Sequence, residues 1–419
     1  MSVGESRLAA LLVALALATG AVGGAGCGAG GSSPHGVAGE SPSGAPRGPR
    51  SELFGMNAQF ILADEPATAD PELRRMADQG IGVVRADASW DDIEPTPPKG
   101  GGHAYVWGFT DRLETALARR SLRWLPIAAY SPRWDTSARG TNVAPPIHDA
   151  EYAAFAAAIA TRYGPGGAFW RAHPTLPAVP VDAIEIWNEE NYPPYWGGHA
   201  ADPVRYLGLY RAAQAAIHRA APGVRALVGG LAEEGSPVQA APGFLTAMAR
   251  LAPGLARSLD GVALHPYAPD ATQVLARIAG LRAVLVAFGA PRVPIEVTEV
   301  GWPTQGNPSG GLVVSDDRRA SFLATLVNRV AAGYCGVDLF APYTWRTLEL
   351  EPSNSLDFYG LEHPDGTLSA GGAGYAGALA SVSGHPVGRS AHEPARCAGR
   401  RRAGRRRRAG RRRPAGRRR

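Results

Sequence analysis

Lysine is almost missing from this chain of 419 residues: Lys99 is the only one, and arginine carries the rest of the positive charge. Together with abundant alanine, glycine and proline, this reads as compositional bias rather than a physical demand. Cysteine is also scarce. Cys27, Cys335 and Cys397 are too few for a disulfide framework and lack zinc-ligand spacing. Cys335 follows a helical pattern and is expected to be a small buried hydrophobe. Long apolar runs are missing too. The run LAALLVALALA at 8–18 is too short to cross a bilayer comfortably as a helix. The body of the chain also lacks a basic surface. Fourteen arginines lie between Arg396 and Arg419 with no acid among them, so the net charge of +6 leaves −8 for everything before them. Nothing in that body reads as a nucleic-acid surface.

What is present divides the chain into four parts. Residues 1–27 have the pattern of an export signal, with Arg7 before the apolar run and small residues after it. GAGC at 24–27 resembles a bacterial lipobox, with Gly24 where leucine is usual. On that reading Cys27 is lipidated and anchors the protein at the membrane. Residues 28–50, rich in Gly, Ser and Pro, form a flexible linker. Residues 51–384 are the globular domain, and 45% hydrophobic residues overall suffice for a sizeable core. Residues 385–419, ending in repeats of AGRRR, are a disordered tail that cannot bury apolar surface. Such a tail suits anionic wall polymers or lipid headgroups; a merely solvated extension is the plainer alternative.

Within 51–384, short apolar runs alternate with amphipathic helical patterns. Strands are expected at 53–59, 82–90, 123–130, 181–189, 224–230, 259–267, 293–302 and 337–345. Helices are expected at 70–80, 110–120, 149–164, 202–223, 243–257, 271–289, 315–333 and 372–382. Asp111 and Glu114 are spaced as a capping box, and Asp202 followed by Pro203 reads as a helix start. The strands are nearly continuous apolar runs, as buried parallel strands should be. Eight β/α units of this length predict a (β/α)8 TIM barrel. An open doubly wound sheet would want a Gly-rich phosphate turn after the first strand, and GMNAQF is not one.

The run AIEIWNEEN at 183–191 ends a buried strand in three glutamates and two asparagines, and IEVTEVGWPT at 295–304 does something similar. Chemistry in such a barrel sits at the C-terminal strand ends. Those ends carry Arg85 and Trp90, Tyr130 and Trp134, Asn188 and Glu189, His265 and Tyr267, Glu299 and Trp302, and Trp345. Two carboxylates facing each other across the mouth, Glu189 and Glu299, suit glycoside hydrolysis, which needs one neutral acid and one ionised partner. Arg85 would hold Glu299 ionised and Tyr267 would donate to it. Trp134, Trp302 and Trp345 would offer platforms for sugar rings. No metal, nucleotide or other cofactor is required. Glu185 lies deeper on the strand of Glu189 and reads as structural, paired with an arginine. Glu296, three residues before Glu299, is expected on the opposite strand face, toward the helices. Trp187 reads as packing.

IWNEEN and VTEVGW resemble the acid/base and nucleophile signatures of the clan A retaining glycoside hydrolases, and the nearer likeness is to family 39 and family 5-like members. ASWDDIEP (88–95), AAYSPRWD (128–135), LHPYAP (264–269) and the late YGLEHPDGTLSAGGAGYAGA extend the resemblance over about 52–384. It implies that Glu189 is the general acid/base, that Asn188 holds the 2-hydroxyl of the reacting sugar, and that Glu299 is the nucleophile. Arg85, His265 and Tyr267 then support the pocket and Trp345 floors it. Glu190, where the family commonly has Pro, and Glu296, at a position usually apolar or aromatic, depart from the pattern. The expected activity is an exported or lipid-anchored retaining glycosidase acting on oligo- or polysaccharide β-bonds. A transglycosylase on the same residues and a non-catalytic glycan-binding lipoprotein are the alternatives. Sugar, linkage and endo or exo action stay open.

Overall fold

The computed structural model describes residues 51–62, 66–307, 312–383 and Cys397. The expected signal (1–27, with Cys27), the linker (28–50) and the Arg-rich tail apart from Cys397 lie outside the described residues. Eight strands run β1 Ser51–Asn57, β2 Ile81–Ser89, β3 Arg123–Ala129, β4 Ala183–Asn188, β5 Arg225–Ala232, β6 Val262–His265, β7 Ile295–Val297 and β8 Val337–Phe340. They pair in parallel in chain order, and β1 closes on β8 through Phe54 and Phe340. The sheet is therefore a closed (β/α)8 barrel, and the open-sheet alternative falls away.

The principal helices are α1 Pro66–Asp78, α2 Gly108–Arg119, α3 Asp149–Tyr163, α4 Pro203–Ala220, α5 Ala241–Leu251, α6 Ala271–Ala287, α7 Asp316–Ala331 and α8 Ala370–Val382. Their spacing pattern explains their packing. In α3, Tyr152, Phe155, Ile159 and Tyr163 recur every three or four residues and form the buried face. The start of α4 follows its sequence signal: Asp202 accepts the amides of Val204 and Arg205, and Pro203 sits where no amide partner is needed.

The predicted capping box does not form. Helix α2 starts earlier, at Gly108, which places Asp111 inside it. There Asp111 accepts from Arg162 and from the Tyr163 hydroxyl, and Glu114 turns into the core, fully buried, with no hydrogen-bond partner at either oxygen among the described residues. Cys335 is not a free thiol but is bonded to Cys397, with their Cα atoms 4.7 Å apart. A count of three cysteines argued against a framework and could not exclude one bridge.

Inside the barrel, side chains lie in layers set by strand alternation. Val83, Leu125, Ala183, Leu227 and Leu339 form an apolar middle layer. Two residues toward the C-terminal end, the same faces carry Arg85 and Glu185. Two residues below Leu227 is Arg225. Glu296 sits in register beside Leu339 and therefore faces inward, where Arg225 donates to it at 2.6 Å. The expectation that Glu296 faces the helices is thus corrected. It assumed an extended strand through Glu299, whereas β7 ends at Val297. Strands β6, β7 and β8 are all shorter than their apolar runs, because the residues that follow leave the sheet to line the mouth.

Candidate active site

Arg85 is the hub of the mouth. It is fully buried on β2, which is costly for a charge unless every donor finds a partner. Its Nε and Nη2 donate to the two oxygens of Glu185 at 2.7 and 3.1 Å. Its Nη1 donates to Glu299 Oε1 at 2.6 Å and to Asn57 Oδ1 at 2.8 Å, and Nη2 also reaches Asn188 Oδ1 at 2.8 Å. Burial alone would lower its pKa. Glu185 and Glu299 outweigh that, and the pKa is raised. The arginine expected for Glu185 is therefore Arg85 itself.

The end of β4 breaks the alternation of a strand. Trp187 and Glu189 both have left-handed backbones, with φ of 71° and 52°, a region that residues other than glycine rarely adopt. As a result Trp187, which shares parity with Glu185, packs against Tyr152 and Trp196. Asn188 instead turns to Arg85, and its Nδ2 donates to the Tyr130 hydroxyl at 3.0 Å. Glu189 follows it, buried, with Oε1 2.8 Å from Nδ1 of His265.

The His265 proton can be placed from its neighbours. Nε2 lies 3.4 Å from Arg85 Nη2, a group that only donates, so Nε2 keeps its lone pair. Nδ1 then carries the hydrogen and donates to Glu189. Burial, then the Arg85 charge, push the His265 pKa well below its ordinary value, so the ring is neutral. Burial, then the charges of Glu299 and Glu234, push the Glu189 carboxyl well above the usual carboxylate range. Glu299 has opposite surroundings: Arg85 donates to one oxygen and the Tyr267 hydroxyl to the other at 2.9 Å. Both of its oxygens thus act as acceptors.

An oxygen of Glu189, an oxygen of Glu299 and a nitrogen of His265 all lie within 4.8 Å of one another. Three ligand-type groups this close resemble a metal site. Here Arg85 already places a fixed positive charge against Glu299 and beside His265. The chain thus supplies from its own side chains the charge that an ion would bring.

The structure brings Arg85, Tyr130, Asn188, Glu189, His265, Tyr267 and Glu299 together and leaves three of the expected tryptophans out. Trp90, Trp302 and Trp345 have no exposed surface and cannot present a ring face to a sugar. Trp90 stacks on Phe155 of α3 and donates to Glu94. Trp302 donates to Ala268 O and packs on Phe322 of α7. Trp134 keeps a partly exposed ring, donates to Glu94 O and meets Trp90 edge-on.

Tyrosines stand where tryptophans were expected. Tyr343, half-buried, has its phenol pushed up by burial and by Glu299, and meets Tyr359 edge-on at 5.5 Å. Tyr195 lies nearly parallel to Tyr130 at 6.4 Å and feels both Glu189 and Glu299. Tyr343 lies two residues before Trp345, the aromatic expected to floor the pocket. Asp87 and Glu234 were also missed. Asp87 shares the face of Arg85 two residues on, and LAEEG places Glu234 just past β5; strand parity and position would have found both.

No family model matches the chain, and no curated protein matches it either. Solved structures do. A family 39 glycoside hydrolase from the gut symbiont Bacteroides cellulosilyticus is 18% identical with a TM-score of 0.60, over 80% of this chain and 64% of that one. A monomeric β-xylosidase from Caulobacter crescentus is 20% identical with a TM-score of 0.57, over 78% and 67%. A GH5_18 structure from Streptomyces cattleya in complex with GlcNAc is 19% identical with a TM-score of 0.58, over 80% and 81%. The chain thus spans a little under two thirds of the first of these. At such identities the likeness establishes the shared (β/α)8 fold.

Proposed function

We propose that this chain is a retaining glycoside hydrolase that cleaves β-glycosidic bonds by double displacement. The observation that carries the reading is the pair Glu189 and Glu299, close together and in opposite surroundings. Retaining enzymes hold their two carboxyl groups about 5–5.5 Å apart, whereas inverting ones leave about 6.5–9.5 Å for a water. An approach within 4.8 Å between an oxygen of each supports the former.

Each residue then has a task. Glu299, aimed by Arg85 and Tyr267, attacks the anomeric carbon and becomes the glycosyl ester. Glu189, kept protonated by burial, gives its proton to the leaving oxygen. In the second step Glu189 takes a proton from water, which releases the sugar from Glu299. His265, neutral and donating through Nδ1, fixes the Glu189 carboxyl without competing for its proton. Asn188 has one Nδ2 hydrogen beyond its bond to Tyr130, available to a sugar hydroxyl. The neighbouring β-xylosidase structure makes aryl β-xylosides the first substrates to try. Export rests on residues 1–27, and anchoring on Cys27.

The test is Glu189→Gln and Glu299→Gln, assayed on aryl β-glycosides and polysaccharides. Loss of the general acid should cost about 10²–10⁴-fold in kcat/KM with poor leaving groups, and loss of the nucleophile should bring activity to background. Full activity in either variant would end the assignment.

A further inference from the structure

The pocket contains a carboxylate that neither step above uses. Asp87 stands on β2 two residues beyond Arg85, on the same inward face. Gln59, in the turn after β1, grips it twice: Gln59 Nε2 donates to Asp87 Oδ1 at 2.7 Å, and the Asp87 amide donates to Gln59 Oε1 at 3.0 Å. Among the described residues nothing takes the other oxygen, Oδ2. Asp87 is close enough to Arg85, Glu299 and Glu185 to interact with all three charges, and with the phenol of Tyr130. It is partly buried, so some of its surface stays open to solvent.

An acid held in place at one oxygen and open at the other is an acceptor for hydroxyl hydrogens. Around the mouth Asp87, Glu185, Glu234 and Glu299 stand against Arg85, with Arg277 near Glu233 and Glu234, while Glu189 is protonated and His265 is neutral. Such a pocket repels a second carboxylate. Resting on the glycosidase reading, we propose that Asp87, positioned by Gln59, binds the hydroxyl groups of the reacting ring, and that the pocket thereby selects neutral sugars and rejects uronic acids. A charge-assisted hydrogen bond is the strong kind, so the loss of this one is measurable.

The experiment compares the full chain with Asp87→Asn and Gln59→Ala on 4-nitrophenyl β-xyloside, glucoside, galactoside, mannoside and glucuronide. Wild type should favour at least one neutral glycoside over the glucuronide by about 100-fold. Asp87→Asn should lower kcat/KM on that neutral substrate about 10–100-fold. It should spare the glucuronide, so that the preference narrows at least about tenfold. A merely structural role for Asp87 would lower both substrates together. Burial pushes the Asp87 carboxyl up to about 6, so an inflection near that pH, with Arg85, Glu185, Glu299 and Tyr130 as its facing groups, should vanish in Asp87→Asn. If Asp87→Asn does not fold, Gln59→Ala decides by a smaller change in the same direction, mainly in KM. Where a sugar binds without cleavage, the same ratios are read as Kd by saturation-transfer NMR. Neutral turnover that stays within twofold in both variants, or a wild-type preference for the glucuronide, overturns this inference and leaves the glycosidase reading intact. Neither turnover nor binding of any of the five sugars overturns both.

Discussion

Arg85 has no solvent contact, yet it touches two carboxylates and two asparagines from β1, β4 and the segment after β7. Its planar fork matches the two oxygens of Glu185 and leaves Nη1 for Glu299, which a lysine ammonium cannot reproduce. Arg85→Lys should therefore unfold about 3–5 kcal/mol more easily, since it leaves buried acids poorly paired. It should also lose at least about 100-fold in kcat/KM, because Glu299 is no longer aimed. Urea titration and steady-state kinetics measure the two effects, and unchanged values in both would show that Arg85 neither holds the acids nor aims Glu299. At the level of single residues, much of the candidate site's geometry was legible. Glu189 and Glu299 could be read because acids ending apolar runs have few structural excuses, and Arg85 because its strand offered no other cation. The tryptophans were misread because residue size says nothing about which way a ring faces. Trp302 and Trp345 are buried in the core, and the half-buried Tyr343 has its phenol pushed up by burial and by Glu299 instead.

Secondary-structure elements aim these residues through small irregularities that sequence periodicity does not encode. The left-handed backbones at Trp187 and Glu189 bring Asn188, the last residue of β4, and Glu189 just after it to the same pocket. On β5, a Cβ at Gly230 would run into the His265 ring and come within 2.7 Å of Glu185 Oε1, so the absence of a side chain there makes room for the histidine. Helix α2 shows the opposite kind of failure. Its start was misplaced because Asp111 and Glu114 fit a capping box locally, while packing against α3 drew Asp111 to Arg162 and Glu114 into the core. Burial, then Asp111, push the Glu114 carboxyl well above its ordinary range. A raised folded pKa means that stability is fully present below the unfolded value near 4.5 and falls as pH climbs toward the folded one, by about 1.4 kcal/mol per unit. Glu114→Gln removes that loss. Its Tm should stay close to wild type at pH 4 and pull ahead steadily toward pH 8. A gap that stays constant with pH would show that Glu114 ionises freely in the folded protein.

For the whole molecule, the alternation of apolar runs and amphipathic stretches made the barrel legible, because parallel strands buried on both faces leave a strong compositional mark. The bridge from Cys335 to Cys397 was not legible, because pairing depends on distances that spacing does not reveal. The closed sheet brings Arg85 on β2, Glu189 just after β4, His265 on β6 and Glu299 just after β7 to one mouth. On the proposed mechanism the two acids at that mouth act in sequence on one anomeric carbon. The most direct test is the configuration of the sugar first released from an aryl β-glycoside, followed by proton NMR before mutarotation. The β-anomer should appear first and the α-anomer only later, as equilibrium is reached. Initial release of the α-anomer would mean that water, not Glu299, attacks the anomeric carbon, and would contradict the proposed mechanism.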